Sequence, residues 1–352
     1  MSSLLFSSRF VTIWLATVVL LIVCQIVAPS TLSSTSFSSL LPLGSVVALA
    51  ALGQMLVVMV GGIDLSMAAA ISLLANILVG VSQGQNDRLA YAIFVVLVWA
   101  VVIGLANGLL IAVLDLNPII VTLSTGLILL GITDEYRVGI ANNASVPESL
   151  SDFALVDKVL GVSKLFWLVL VLMLVLALAL RSTAVGRRFQ SVGANRRAAW
   201  MAGIRVRTYV VFAYIAAAIA AGLAGVFIGG IVVNPGVNPG APYLLGPVAA
   251  VVLGGAALSG GVASPTSTWV AAFFVTILNQ MLKVLGLSTA SQGVVFGVAI
   301  ILGMLISGDR ISDIVGRLLL RPRIRDLVTE EQPPEPGPEL ASVGTEPKGE
   351  YQ

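Results

Sequence analysis

The chain has 352 residues, of which 58% are hydrophobic and only 10% charged, and its mean hydropathy is +1.03. Soluble domains carry roughly 25% charge, so a water-soluble globular domain is excluded and lipid is the solvent for most of this chain. With no histidine and a single cysteine, Cys24, there is no imidazole base, ligand or pH switch and no internal disulfide; the net charge of +2 says less than where the charges lie.

A helix needs about 20 apolar residues to cross the hydrocarbon. The first apolar run, 10–28, follows Arg9 and has no convincing small-residue exit at Val27-Ala28-Pro29, so it reads as a retained helix rather than a cleaved leader. Cys24 lies within it and reads as apolar filler. Further runs fall near 42–60, 66–82, 89–114, 117–133, 165–181, 208–228, 246–258, 267–285 and 291–307, ten in all. The run at 246–258 is short, which marks it as starting earlier or as a broken helix. The expected fold is therefore an all-α polytopic membrane protein of about ten transmembrane helices.

Lys and Arg set the orientation. Between Arg181 and Arg207 lie seven arginines and no acid, and 308–325 adds five more arginines; both are expected on the cytoplasmic side. The 134–164 loop carries Asp134, Glu135, Glu148, Asp152 and Asp157 against three basic residues, and is expected outside. Ten crossings with both termini cytoplasmic satisfy all three. A transmembrane domain is thus expected over 1–310, with a cytoplasmic loop at about 182–207. Residues 311–352 form a tail, first basic and then acidic and Pro-rich, that cannot bury a core and is expected to be disordered.

The middle of the chain is duplicated. Leu52-Gly53 opens a run that ends in Gly61-Gly62-Ile63-Asp64-Leu65-Ser66, and Leu245-Gly246 opens another that ends in Gly254-Gly255-Ala256-Ala257-Leu258-Ser259. Asn107-Gly108-Leu109-Leu110 and Asn279-Gln280-Met281-Leu282 extend the likeness more faintly. Both glycine pairs fall on the same side of the expected topology, so the two repeats run parallel. Duplicated, glycine-broken helices are how many transporters build a solute path, which makes Gly61, Gly62, Gly254 and Gly255 candidates for that path.

Enzyme chemistry finds no foothold. The chain has no P-loop Gly-Lys pair, no His-Glu-x-x-His and no Cys pair, so no catalytic residue, metal site or cofactor is expected in it. Ionisable groups within spans are few. Asp64, with Ser66, can cap the start of the following helix or take part in gating or an ion path; the second copy has Ala257 at that place. Lys283 can snorkel to a span end. Asn107 and Asn279 suit interhelical hydrogen bonds or a direct substrate contact.

The basic loop contains a short helix signal, Arg196-Arg197-Ala198-Ala199-Trp200, with Asn195 placed to cap its start and Gly203 its end. A cationic helix between two spans either lies on anionic membrane lipid or docks on a soluble partner.

Four motifs together resemble the permease subunits of bacterial ABC importers for simple sugars, the ribose, xylose and galactoside type related to branched-chain amino-acid permeases. They are Gly61 to Ser66; Ala106-Asn107-Gly108 with Asn117 to Leu123; the Gly186 to Ile204 loop; and Ala249 to Gly255 through Gly260-Gly261. The resemblance implies a permease dimer, homo- or heteromeric, in the bacterial cytoplasmic membrane. It also implies an ATP-binding subunit that holds ATP and Mg on the cytoplasmic face, an extracytoplasmic substrate-binding protein, and no nucleic-acid partner. By the same resemblance Gly193, Asn195, Arg196, Arg197, Ala198, Ala199 and Gly203 belong to a coupling helix that docks on the ATPase. The chain departs from the family pattern at Tyr243-Leu244-Leu245, at Ala256 and at Ile132 to Arg137, which bears on the substrate rather than the architecture. A stand-alone ion-coupled carrier is the alternative; its driving cation needs mid-membrane carboxylates, and these are scarce.

Overall fold

The computed structural model describes residues 8–140 and 144–307. The tail expected over 311–352 lies outside the described residues. Among the described residues the regular structure is helical, apart from one two-stranded hairpin. In chain order the helices are α1 (Ser8–Val27), α2 (Ser34–Met59), α3 (Met67–Ser82), α4 (Leu89–Ala112), α5 (Pro118–Val138), the one-turn α6 (Glu148–Ser151), α7 (Lys164–Ser182), α8 (Ala184–Ala194), α9 (Arg196–Met201), α10 (Val206–Val232), α11 (Gly246–Leu253), α12 (Pro265–Val284) and α13 (Thr289–Ser307). Strands β1 (Lys158–Val159) and β2 (Val162–Ser163) pair antiparallel ahead of α7.

Among the described residues, seven helices are long and apolar enough to cross a membrane: α1, α2, α4, α5, α7, α10 and α12. Shorter apolar helices occupy the α3, α11 and α13 positions. The ten expected runs all fall on these elements, and the protein is a polytopic all-α membrane protein. Three boundaries differ from the sequence reading. α2 starts at Ser34, well before residue 42, because Ser33 caps it and Pro42 is accommodated inside the helix. α5 continues to Val138, so Asp134, Glu135 and Arg137 lie on its last turns rather than in a loop. α11 stops at Leu253; eight residues rise only about 12 Å, well short of a hydrocarbon core of about 30 Å.

α2 is the hub. It is buried along nearly its whole length, whereas α1, α4, α5 and α7 keep most of their surface exposed. That contrast is expected of a helix that is apolar all round and surrounded by protein. α10 packs against α2, α3 and α4, and α12 packs against α2 and α11. Small residues make the closest approaches possible, since without a hydrophobic drive between lipid-bathed helices close packing itself holds them together. Gly104 and Gly108 of α4 form such a seam with α10: a Cβ on Gly104 would lie 2.5 Å from the Ile215 Cα and 2.6 Å from the Tyr214 carbonyl oxygen.

Gly104→Ala should therefore destabilise the protein by about 1–3 kcal/mol, the usual penalty of overpacking against backbone. Gly131→Ala, where a Cβ meets nothing within 4 Å, should leave the melting temperature in detergent unchanged. Equal melting temperatures for the two variants would contradict this account of the α4–α10 seam.

Candidate functional site

Each glycine pair ends a helix in the same way. After α2 the Gly61 N–H donates to the Val58 carbonyl at 2.9 Å and the Gly62 N–H to the Val57 carbonyl at 3.0 Å, with Gly61 at φ +77°. After α11 the Gly255 N–H donates to Val252 at 3.0 Å and the Ala256 N–H to Val251 at 3.2 Å, with Gly255 at φ +84°. This left-handed closing turn needs glycine, because a Cβ is disfavoured at positive φ. The left-handed residue is the first glycine of one pair and the second of the other, so the two copies are out of step by one residue at the turn.

The two breaks meet each other, and α8 meets both. The Gly261 N–H donates to the Met59 carbonyl at 2.8 Å. A Cβ on Gly260 would sit 2.7 Å from the Gly193 carbonyl and 3.1 Å from the Gly61 nitrogen. Gly193 itself lies against the Met59 carbonyl and the Gly261 nitrogen so closely that no Cβ fits. Arg196 completes the joint, its Nη2 donating to the Val60 carbonyl at 2.8 Å. A cation on a helix's last free carbonyls is favourable both as a hydrogen bond and against the helix dipole. Of the residues the sequence singled out, Gly61, Gly193 and Arg196 are thus brought together. Gly254 faces the backbone of α12 at Thr268.

α9 has the local geometry its sequence asks for. The Asn195 side chain accepts from the Ala198 N–H at 2.9 Å, and Gly203, at φ +77°, closes the helix with the same turn as Gly61. Ala199 is buried, while Trp200 and Met201 are 70% and 69% exposed. α8, capped by Thr183, was not foreseen, although Thr183 and the amphipathic stretch after it signal a helix start. A cleft of about 850 Å³ runs beside α9, with Asp115, Arg196, Arg197, Trp200, Arg205 and Arg207 in its wall.

Asp64 is only 4% exposed and serves the turn into α3. Its Oδ1 accepts from the Ser66 N–H at 2.9 Å and the Ser66 hydroxyl at 2.5 Å. The network continues, with Asn107 Nδ2 donating to Ser66 Oγ at 3.0 Å and Thr125 Oγ1 to Asn107 Oδ1 at 2.7 Å. Thr122 Oγ1 accepts from the Leu65 N–H at 3.1 Å. With the Gln54 amide oriented to satisfy both groups, its nitrogen donates to the Asp64 carbonyl and its oxygen accepts from the Asp64 N–H, each at 3.1 Å. Asn107 is thereby a tie between the first break, α4 and α5. Asn279 is not its structural counterpart: its Oδ1 is buried with no hydrogen-bond partner.

On the opposite face a second polar cluster holds the segment between α10 and α11. Ser72 Oγ donates to Asn238 Oδ1 at 2.6 Å and accepts from the Gly240 N–H at 2.9 Å. Asn76 Nδ2 donates to the Val237 carbonyl at 3.1 Å. Arg137 donates to Asn76 Oδ1 at 3.2 Å and to Asn234 Oδ1 at 3.1 Å. The sequence reading missed this cluster; its signal is the doubled Asn-Pro-Gly turn at 234–240.

The two asparagines should respond differently to removal. Asn107→Leu takes the acceptor from Thr125 and a donor from Ser66 and should lower stability by about 1–2 kcal/mol, whereas Asn279→Leu removes an unpaired acceptor and should melt at or above the wild-type temperature. A melting temperature lowered equally by both, read in detergent, would contradict the separate roles.

The family model for the permease component of the branched-chain amino acid transport system matches residues 36–304. A probable ABC transporter permease protein, y4mJ, of Sinorhizobium fredii is 30% identical over 300 residues, covering 84% of this chain and 88% of that protein. The ribose import permease protein RbsC of Bacillus subtilis is 31% identical over 298 residues, covering 82% and 89%. The autoinducer 2 import system permease protein LsrC of Salmonella paratyphi B is 28% identical over 329 residues, covering 90% and 92%. No solved structure gives a significant match. With the match running through both glycine breaks and the α8–α9 segment, the chain belongs to the family of permease components of the branched-chain amino acid transport system.

Proposed function

We propose that the chain is the membrane-spanning permease subunit of an ABC importer in the bacterial cytoplasmic membrane, and that it carries a simple sugar handed over by an extracytoplasmic binding protein. ATP and Mg would bind to a separate subunit on the face that carries α8 and α9, and both chain termini would lie on that same side. Two permease copies, identical or related, would frame the path, and ATP-driven closure of the ATPase pair would switch the side to which it opens. The sugar assignment leans on the relatives named for ribose and autoinducer 2 import.

The observation that carries the reading is the form of α9. It presents two large exposed apolar side chains, Trp200 and Met201, the first of them in the wall of a cleft lined with arginines, and Arg196 ties the same helix to the end of α2. Trp is the residue type most enriched at the energetic centre of protein interfaces. The same feature gives a partner a grip and gives that grip a route to the helix breaks. An ion-coupled carrier finds less support: among the described residues Asp64 is the one buried charged side chain, and Ser66 already engages it.

Replacing both Trp200 and Met201 by Ser should leave insertion and melting temperature unchanged, since neither side chain is packed. The ATP-binding subunit should no longer copurify, and ATPase activity stimulated by the loaded binding protein should fall at least about tenfold, the effect of losing an interface anchor worth roughly 2 kcal/mol. Undiminished copurification and stimulation would overturn the docking role of α9.

A further inference from the structure

The hairpin ahead of α7 carries a residue that neither its turn nor its burial explains. β1 and β2 pair Val159 with Val162, so the turn is two residues long. Both of them, Leu160 at φ +52° and Gly161 at φ +79°, are left-handed. That is the type I′ form, which favours Asn, Asp or Gly at its first position, because a large side chain is disfavoured at positive φ. Leu160 occupies it nevertheless, and at 87% exposed it is the most exposed large apolar side chain among the described residues. Val156 and Val159, just before it in the chain, are exposed too. A polar residue would suit both the turn and water better, so the tip is matched to an apolar surrounding outside the chain.

The place of the hairpin says what that surrounding is. α7 has 19 residues and rises about 28 Å, close to the hydrocarbon thickness of about 30 Å. It therefore begins at one boundary of the hydrocarbon and ends at the other, where Thr183 leads into α8. The hairpin joins α7 without a gap at Ser163 and Lys164, so it lies in the polar layer of the leaflet opposite α8. That layer is about 5–7 Å deep and a two-residue strand reaches about 7 Å, which keeps the tip within it. Trp167 fixes the side to which the hairpin is held. It shares one helix face with Val171, Leu174 and Leu178, and those three are exposed on a helix that keeps most of its surface outside the protein. This stripe is the lipid-facing side of α7. The Trp167 indole nitrogen donates to the Val159 carbonyl at 3.0 Å, which ties β1 to that same side. Trp favours membrane–water boundaries, where its ring is in lipid and its N–H is bonded. Lys164, paired with Asp157 at 2.7 Å, and the exposed Lys158 put charge at headgroup level, with stems that can lie along apolar surface.

We propose that the 156–163 hairpin is an anchor in the bilayer interface, with the Val159–Leu160 tip inserted where headgroups meet acyl chains, in the leaflet opposite α8 and α9. The partner is lipid rather than a soluble protein, because the apolar tip continues the lipid-facing stripe of α7. The inference rests on α7 as a membrane span and is independent of the importer reading. Such an anchor sets the depth of α7 in the bilayer and, through Thr183, the place of α8 at the far boundary.

The test uses the full-length chain in lipid nanodiscs, which leave both membrane faces open to solvent, in a Cys24→Ser background. Leu160→Cys, Val159→Cys and, as the control, Glu148→Cys, an exposed acidic position in the same segment between α5 and α7, are each labelled with an environment-sensitive fluorophore. Two quenchers are compared: iodide in the water, and a phospholipid carrying a doxyl group high on its acyl chain. The label at Leu160→Cys and at Val159→Cys should emit blue-shifted relative to the control and lose most of its fluorescence to the doxyl lipid, with little lost to iodide. At Glu148→Cys the order should be reversed. Stronger quenching by iodide than by the lipid at Leu160→Cys would leave the tip in water, open to a soluble partner, and would overturn the anchor. Quenching by neither would place the tip against a second copy of the chain and would overturn it as well.

Discussion

The Met59 carbonyl is the point on which the rest of the arrangement hangs. It accepts from the Gly261 N–H while Gly193 presses on it from α8. Three backbones from distant parts of the chain share one spot, with no side chain between them. Backbone in contact with backbone has no rotamers to yield, so displacement of one strand must displace the other two. This is the close-packing argument for rigid transmission, applied at a place where the sequence has removed every Cβ that would have kept the strands apart.

That joint sits at one end of α2, and the pinned 234–240 segment, with a cavity of about 380 Å³ beside it, sits near the other. α2 is therefore the natural lever between them. It is buried on nearly all sides, it passes the cavity at Leu40 and Leu43, and it ends in the glycine turn that Arg196 caps. The two ends are built differently. At the joint the contacts are short and glycine-based. At the 234–240 segment they are side-chain hydrogen bonds to loop carbonyls and amides, which water or a docking protein can replace at little net loss.

Much of this was legible in the sequence. Hydropathy found each apolar helix, because lipid forces backbone bonding into helices and leaves a long apolar run as the signature. The Asn195 cap and the Gly203 stop were readable because capping is local. The glycine duplication pointed to the breaks. It did not reveal that they touch, that the turns differ by one residue, or that Gly193 is the wedge between them, since these are contacts between remote segments. Pairing Asn107 with Asn279 by repeat likeness failed for a related reason. Asn107 finds Ser66 and Thr125 within reach, whereas Asn279 lies at the other end of the helix pack, so equivalent letters meet different neighbours. Which side chains of α9 would stand exposed was not legible, because the direction in which a six-residue helix turns is set by what lies beneath it, not by its own pattern. Arg137, assigned to a loop, proved to be a helical residue bridging two asparagines.

The central claim of the proposed function is that α8 and the two glycine breaks would move as one body on closure of the proposed ATP-binding subunit. Spin labels at Val185→Cys and Val262→Cys, both exposed positions, in a Cys24→Ser background of the complete importer report the distance between α8 and the second break. The account predicts one narrow distance distribution that is the same without nucleotide and with ATP trapped. A distribution that shifts or splits between those two states would contradict it.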